Sequence, residues 1–462
     1  MTDYDTAATA AIILAAGKGT RMKSALPKVL HPLAGQPMIA HVLDCVLPLN
    51  PVATVVVVGP GMDSVTDAVA PLPTATQNEQ LGTGDAVKAA EKALKGVSAE
   101  TIIILYGDTP LIKSETLLAM LEARAAGAGL VVLGFTPDDP GAYGRLKLNK
   151  VGALEAIVEA GEASAEERKI QLCNSGVMAV DAACLFGLLQ RVRNDNAKGE
   201  YYLTDIVGLA RTDGLNCAVV EAPADQLMGV DSRAALAEAE GLWQAARRLR
   251  AMDEGATLLD PETVWFSHDT AVGRDVVIGP NIFFGPGVSV ADNVEIRAFS
   301  HLEGAHIEEG AIIGPFARLR PGAVIEKGAF VGNFVEIKNA VMGEGAKASH
   351  LSYIGDATVG AKANIGAGTI TCNYDGYNKH RTVIGKAAFI GSNTALVAPV
   401  NIGEGAVVGA GSTVVSDVGA DALAIARGKQ MNLPGRAAVL RGKLSAIKNA
   451  QKIDLPPEPK KD

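Results

Sequence analysis

Two rhythms of apolar residues divide the chain. Between residue 10 and about residue 230, short runs of Ile, Val and Leu alternate with segments of helical spacing. "AAIILAAG", "VATVVVVG", "TIIILYGD" and "LVVLGF" read as buried parallel strands, because strands covered on both faces are apolar throughout. Between them, 83–95 ("TGDAVKAAEKALK") and 114–126 carry helical periodicity. The pattern predicts a doubly wound, Rossmann-like α/β sheet whose ligands bind beyond the carboxyl ends of the strands.

The segment 231–256, "DSRAALAEAEGLWQAARRLRAMDEGA", opens on an Asp/Ser cap signal and is dense in Ala, Glu and Arg. It predicts one connecting helix, with Leu236, Leu242, Trp243, Ala246 and Leu249 on a single side. After it the period becomes six. Val272, Ile278, Phe284, Val290, Ile296 and Leu302 are evenly spaced. After a one-residue slip, Ile307, Ile313, Leu319, Ile325, Val331 and Ile337 continue the spacing. Ile384, Ile390, Leu396, Ile402, Val408 and Val414 form a third run. Neither a helix nor an isolated strand has this period. A parallel β-helix does, with one hexad per face, the aliphatic residue inside and Gly at the corners. Three faces make a coil of about 18 residues. Seven to nine coils at ~4.8 Å each would span roughly 35–40 Å. No coil buries its own interior, so each depends on its neighbours.

Composition narrows the class. With 48% hydrophobic and 20% charged residues the chain is globular, and its 462 residues exceed one compact core. Aromatics at 4% beside 51 glycines suit a fold that repeats small side chains. A formal charge of −9 argues against general nucleic-acid binding. Cys45, Cys173, Cys184, Cys217 and Cys372 have neither the count nor the spacing of a disulfide frame or zinc site, and read as free thiols. The acidic start "MTDYD" and the short apolar run after it lack the form of a secretory signal, and no stretch reaches the ~20 apolar residues of a membrane span. A cytoplasmic location is expected, with no membrane partner.

The candidate chemistry begins at "LAAGKGTRMKSALPK" (14–28), directly after the first strand. Backbone N–H groups of such a turn can surround phosphate oxygens, with Arg21 and Lys28 adding positive charge. Alone the loop is ambiguous, being neither a dinucleotide fingerprint nor a P-loop. "YGD" (106–108) puts Asp108 at a strand's carboxyl end, where a carboxylate suits Mg²⁺, and "GVD" (229–231) offers Asp231 as a second ligand. On the residues alone, a lesser alternative has Asp108 capping a turn and Asp231 a helix.

"LAAGKGTRM…LPK", "EQLGTGDA" and "YGD" together resemble the nucleotide-sugar pyrophosphorylase family. With the hexad half attached, residues from about 10 to about 430 resemble the bifunctional N-acetylglucosamine-1-phosphate uridylyltransferase/glucosamine-1-phosphate N-acetyltransferase family. The resemblance implies a left-handed β-helix. It implies that Leu14, Ala15, Ala16 and Gly17 hold the uridine nucleotide and Lys28 its phosphates, and that Gln77, Gly82 and Thr83 read the uracil. Tyr106 and Gly107 would flank Asp108, while Gly144, Glu159 and Asn174 line the sugar site. Asp108 and Asp231 would hold Mg²⁺. Familiar members have Asn in "GVNN" where "GVDS" stands here, which makes the second ligand acidic.

In the hexad half, "RLRPG" places Arg320 at a turn and "VEIKNA" places Lys338 eighteen residues later, one coil along the same corner. His350 and Tyr353 follow in "KASHLSYIGD", where the rhythm slips, and "ITCNYDGYNKHRT" (370–382) is too long for one hexad and must leave the prism as a loop. Two stacked cations can grip a sugar phosphate, and an imidazole can take a proton from an amine attacking a thioester. The resemblance assigns His350 as general base and Arg320, Lys338, Tyr353 and Asn364 to the amino-sugar phosphate. It assigns Asn373, Tyr374, Ser392, Ala410 and Arg427 to acetyl-CoA. His31, His41, His268, His301 and His306 lack such company and read as structural or solvated.

The expected organisation is 1–231 for the uridylyltransferase domain, 232–255 for the linker helix, 256–430 for the acetyltransferase β-helix and 431–462 for a partly disordered tail. The implied reactions are acetylation of glucosamine-1-phosphate by acetyl-CoA, then joining of N-acetylglucosamine-1-phosphate to UMP from UTP. The product, UDP-N-acetylglucosamine, feeds bacterial envelope synthesis in the family, whose prisms pack as homotrimers with the acetyl site shared between subunits. The rival readings are a pyrophosphorylase for another sugar phosphate with a regulatory β-helix, and a β-helix that serves only as an oligomerisation scaffold.

Overall fold

The computed structural model describes residues 9–453 except Ala197, and divides into two units, Met1–Gly328 and Ala329–Asp462.

The first unit opens on a nine-stranded sheet. Its main path runs Cys217–Glu221, Leu130–Phe135, Cys173–Asp181, Thr101–Tyr106, Thr9–Leu14, Ala53–Val58, Thr74–Thr76. All four strands expected from the apolar runs form. The sheet is mixed, however. Cys173–Asp181 lies antiparallel between Leu130–Phe135 and Thr101–Tyr106. Side chains alternate across the sheet. Ala11, Ile13, Val56, Ile103, Leu105 and Val131 enter one core with helices Met38–Val46 and Ser114–Ala125. Ile12, Val55, Val57, Ile104 and Val132 enter a second core with helices Thr83–Ala89, Ala182–Leu189 and Asp205–Thr212. Both faces being covered, the central strands carry apolar residues at every position. After Ala53–Val58 and Thr74–Thr76 the chain returns to the other flank of Thr9–Leu14, so the glycine-rich turn sits at the switch in strand order, where open α/β sheets bind ligands.

The connecting helix is Arg233–Asp253, capped by Ser232, whose Oγ accepts from Ala235 N at 3.2 Å. Its expected apolar stripe packs only in part: Leu236 and Trp243 lie with Ala239 against Leu33 and Met38, while Ala246 is exposed. Ala239, Gln244 and Ala251 are buried, whereas Leu249 is 57% exposed. Close packing against neighbouring backbone selects small residues and one amide. Gln244 Nε2 donates to Phe266 O at 2.7 Å and its Oε1 accepts from Phe266 N at 2.9 Å. Glu240 accepts from Ala34 N at 2.7 Å, which ties the helix to the turn after Leu33.

From Thr257 onward the first unit coils into three parallel ladders, with Val277 opposite Glu295 and Glu295 opposite Ile312 on one of them. The second unit is also a three-faced coil. One face carries Phe330–Asn333, Lys347–His350, Asn364–Ile365 and Phe389–Ile390; the next carries Glu336–Lys338, Tyr353–Gly355 and Ile370–Cys372; the third carries Val341–Met342, Ala357–Val359 and Thr382–Ile384. Every hexad residue named above is buried except Val272, which is half-buried. Between the second and third runs the core is carried by Met342, Ala348, Ile354, Val359 and Ile365. Five-residue steps from Ile337 to Met342 and from Ile354 to Val359 hide this stretch from a strict period of six. Asn364 pairs with Phe389, so that coil holds the long insertion.

After the last coil, Arg436–Ile453 is an α-helix where a partly disordered tail was expected, and its side chains through Ala450 are exposed. "DLPPEPKKD", read as disordered, lies outside the described residues. All five cysteines are free thiols. Among the described residues no helix is long and apolar enough to cross a membrane.

Candidate functional site

A cavity of about 540 Å³ opens over the carboxyl ends of Thr9–Leu14 and Thr101–Tyr106. Leu14, Ala15, Ala16, Gly17, Lys28, Gln77, Gly82, Thr83, Tyr106 and Asp108 line it, as the motifs implied. Ala15 N donates to Val57 O at 2.8 Å and Gly107 N to Leu14 O at 2.9 Å, so the turn continues the sheet's own bonding. Gln80 Nε2 donates to Ala16 O at 2.5 Å and holds the turn from across the cavity. Gln77 Nε2 donates to Gly82 O at 2.9 Å and to Asp85 Oδ2 at 2.8 Å, which uses both amide hydrogens within the protein. Burial and then the nearby Asp108 carboxylate push the Tyr106 phenol pKa up, against a bond with Thr83 that lowers it. Tyr106 is therefore a neutral wall at any physiological pH.

Charge is arranged in two pairs. Lys28 Nζ donates to Asp108 Oδ2, and Arg21 meets Asp231 at 2.5 Å. Val230 N donates to Asp108 O at 2.8 Å, which brings the two acidic segments together. Ser232, not Asp231, caps the connecting helix, so the carboxylate of Asp231 is left for Arg21. Arg21, Gly107, Gly144, Glu159, Asn174 and Asp231 do not line the cavity itself. Asn174 N donates to Gly144 O at 2.8 Å, and Thr204 Oγ1 to Glu159 Oε1 at 3.1 Å. Among the described residues no three His, Cys, Asp or Glu side chains gather as a metal centre. Mg²⁺ does not require that: one or two hard carboxylates suffice when phosphates and water complete its shell, and Asp108 with Asp231 fits this need.

In the first unit Arg320 follows the strand Arg318–Leu319 and opens the turn to Ala323–Ile325. In the second unit, two corners carry polar side chains. His350 ends one strand and Leu351–Ser352 turn the chain into Tyr353–Gly355. His350 Nδ1 meets Asn333 Oδ1, its register partner one coil earlier. That oxygen can only accept, so Nδ1 carries the hydrogen and Nε2 keeps the lone pair a base needs. Ser392, Ala410 and Arg427 follow strands of the same face in later coils, with Gly411 N donating to Ser392 O at 2.8 Å and Arg427 Nη1 to Ala410 O at 2.6 Å.

The corner after Tyr353–Gly355 gathers the rest. Lys338 Nζ bonds both carboxylate oxygens of Asp356 at 3.2 Å, Asn339 Nδ2 donates to Oδ1 at 2.7 Å, and Asn373 Nδ2 donates to Oδ2. Asn373 also reaches Tyr353 Oη at 3.4 Å, and the Tyr353 hydroxyl lies where a side chain on Gly355 would begin. Burial opposes the charge of Asp356, yet the bonds from Asn339, Asn373 and Lys338 outweigh it and hold its carboxyl below the usual range. His350 precedes the strand Tyr353–Gly355, and Lys338 is paired with that strand's last residue, Gly355. One expectation is corrected here. Asn373 is 6% exposed and inside the polar cluster rather than out on the loop, whereas Tyr374 is 59% exposed with Lys379 over its ring. Asn364 opens its strand one coil after Lys347.

Residues 11–175 match the MobA-like NTP transferase domain family, and 304–339 and 381–416 match the bacterial transferase hexapeptide (six repeats) family. The bifunctional protein GlmU of Paramagnetospirillum magneticum is 58% identical over 441 residues, covering 95% of this chain and 98% of that protein. Its namesake from Rhodospirillum rubrum is 63% identical over the same shares. The chain belongs to the GlmU family. Relatives bearing the GlmU name from Ruegeria align over 96% of this chain at 54% identity, so the match runs through both halves. Several site residues went unread in the sequence. Lys18, Gln80 and Glu200 line the GlmU-family cavity, and Asn333, Asn339 and Asp356 build the coil corners. Asp356 and Gln80 had one signal in common, a positive φ of 48° and 53°, which no linear motif displays.

Proposed function

We propose that this chain makes UDP-N-acetylglucosamine by two transfers performed in its two halves. The observation that carries the reading is the alignment of bifunctional relatives over 95% of the chain, spanning both the nucleotide-type cavity and the hexad coil. In the N-terminal half, 1–231, an oxygen of N-acetylglucosamine-1-phosphate attacks the α-phosphorus of UTP, and pyrophosphate leaves. Two anions must meet, and Lys28 and Arg21 lower that repulsion from either side of the acidic pair. Gly144, Glu159 and Asn174 hold the sugar, and Gln77 with Gly82 and Thr83 reads the base. Asp108 and Asp231 would hold Mg²⁺, which supplies charge neutralisation on the phosphates.

In the coil, 256–430, the amine of glucosamine-1-phosphate attacks the acetyl carbonyl of acetyl-CoA. His350 Nε2 takes the amine proton, and the CoA thiolate departs. Lys338, Arg320, Tyr353 and Asn364 bind the amino-sugar phosphate, and Asn373, Tyr374, Ser392, Ala410 and Arg427 bind acetyl-CoA. The coil is proposed to pack as a homotrimer, with the acetyl site shared between subunits. Exposed Phe334 and Leu351, beside the His350 corner, are suited to such a contact. A cytoplasmic enzyme fits both co-substrates.

The test is a crossed pair of variants assayed with glucosamine-1-phosphate, acetyl-CoA, UTP and Mg²⁺, each omitted in turn. His350→Ala should lose acetyl transfer alone, by a factor of roughly 10²–10⁴, and Asp108→Ala uridylyl transfer alone. Free CoA released at the same rate without the amino sugar would refute the acetyltransferase assignment.

A further inference from the structure

Three side chains bond the carboxylate of Asp356, and the cluster they form with it draws on three stretches of chain. Lys338 and Asn339 stand on one coil, Asp356 on the next, and Asn373 at the start of the long insertion. Asp356 is 7% exposed and Asn373 6%, so the cluster is closed to solvent on the carboxylate side. Each oxygen is divided between partners: Oδ1 takes Lys338 and Asn339, Oδ2 takes Lys338 and Asn373. Lys338 belongs to the amino-sugar phosphate and Asn373 to acetyl-CoA in the function proposed above, on which this inference rests.

We propose that Asp356 is the positioning residue that fixes the amino-sugar subsite relative to the acetyl-CoA subsite. A bidentate carboxylate has fixed geometry, so Lys338 and Asn373 cannot shift independently while both bond to it. Asp356 also occupies left-handed backbone, φ 48°, which its neighbours must maintain. Tyr353 completes the link, accepting from the same Asn373 amide that binds Asp356. The carboxylate touches neither reacting atom; it acts through the two groups it holds.

The experiment measures acetyl transfer by full-length enzyme with each substrate varied, for Asp356→Asn, Asp356→Glu, Lys338→Ala, Asn373→Ala and the doubles with Asp356→Asn. Loss of one charged hydrogen bond at each subsite should raise KM roughly tenfold for both glucosamine-1-phosphate and acetyl-CoA in Asp356→Asn. Asp356→Glu keeps the charge, displaced by one methylene, and should show a smaller rise in both. Lys338→Ala alone should raise KM for the sugar and Asn373→Ala alone that for acetyl-CoA. Each should add less than about twofold in the Asp356→Asn background, because the shared anchor is already gone. A merely structural residue would lower kcat through loss of active protein with both KM values unmoved, and that result overturns the proposal. So does a rise in one KM only, or single effects that multiply in the doubles. If Asp356→Asn does not fold, the Asp356→Glu pair of KM values decides alone. Retention of acetyl transfer by His350→Ala would instead sink the underlying assignment and not this one.

Discussion

At the scale of single residues, two glycines in the nucleotide cavity make opposite demands. A Cβ on Gly17 would meet nothing within 4 Å, whereas one on Gly82 would sit 2.8 Å from Tyr201 O at φ +104°. Gly82 is thus a folding requirement, and Gly82→Ala should cost about 1–3 kcal/mol, read by urea denaturation. Gly17 is free to change as far as the fold is concerned. Gly17→Ala should leave the melting temperature unmoved and raise KM for UTP roughly tenfold, because the added methyl fills space meant for ligand. An unchanged KM would remove Gly17 from the binding surface. Residues such as Gly17 and Lys28 were legible because they stand in a contiguous motif. Asp356 was not, since its partners are 17 and 18 residues back and 17 ahead, and only the coiling brings them together.

Among elements, the apolar runs specified the central strands because those strands are buried on both faces. The strand Cys173–Asp181 escaped notice because its first half, "CNSG", is polar and contains a register shift between Asn174 and Met178. The connecting helix was legible only in part, Leu236 and Trp243 packing as expected. Its large apolar residues stay half-exposed while Gln244, 1% exposed, serves both backbone groups of Phe266. Gln244→Leu should therefore destabilise the chain by about 1–3 kcal/mol for each orphaned group, measurable by chemical denaturation. The insertion loop offers a pH test. N–H donors of Asn378 and Tyr377, with His380 between them in strength, hold the Asp375 carboxyl far below the usual range. A lowered folded pKa means the loop's bonding is complete above the ordinary Asp range and is lost only as pH falls through the lower value. The Asp375 carboxyl carbon, followed by NMR, should show no titration step between pH 7 and about 3.

For the whole molecule, the proposed trimer would link acetyl transfer, and not uridylyl transfer, to assembly. Phe334 is 56% exposed on left-handed backbone, φ 55°, an expensive placement for an aromatic ring facing water. Phe334→Glu should move sedimentation from three chains to one and abolish acetyl transfer while uridylyl transfer persists. A trimer that survives the substitution would place the contact elsewhere. The closing helix has a practical consequence of its own. Arg436, Arg441, Lys443 and Lys448 stand fully open on it, whereas the coils before it are tightly laddered. Brief trypsin treatment should clip this stretch first and spare the rungs. Stored preparations would then drift to a slightly shorter species that still keeps Arg427, and crystallographers would do well to begin from that trimmed form.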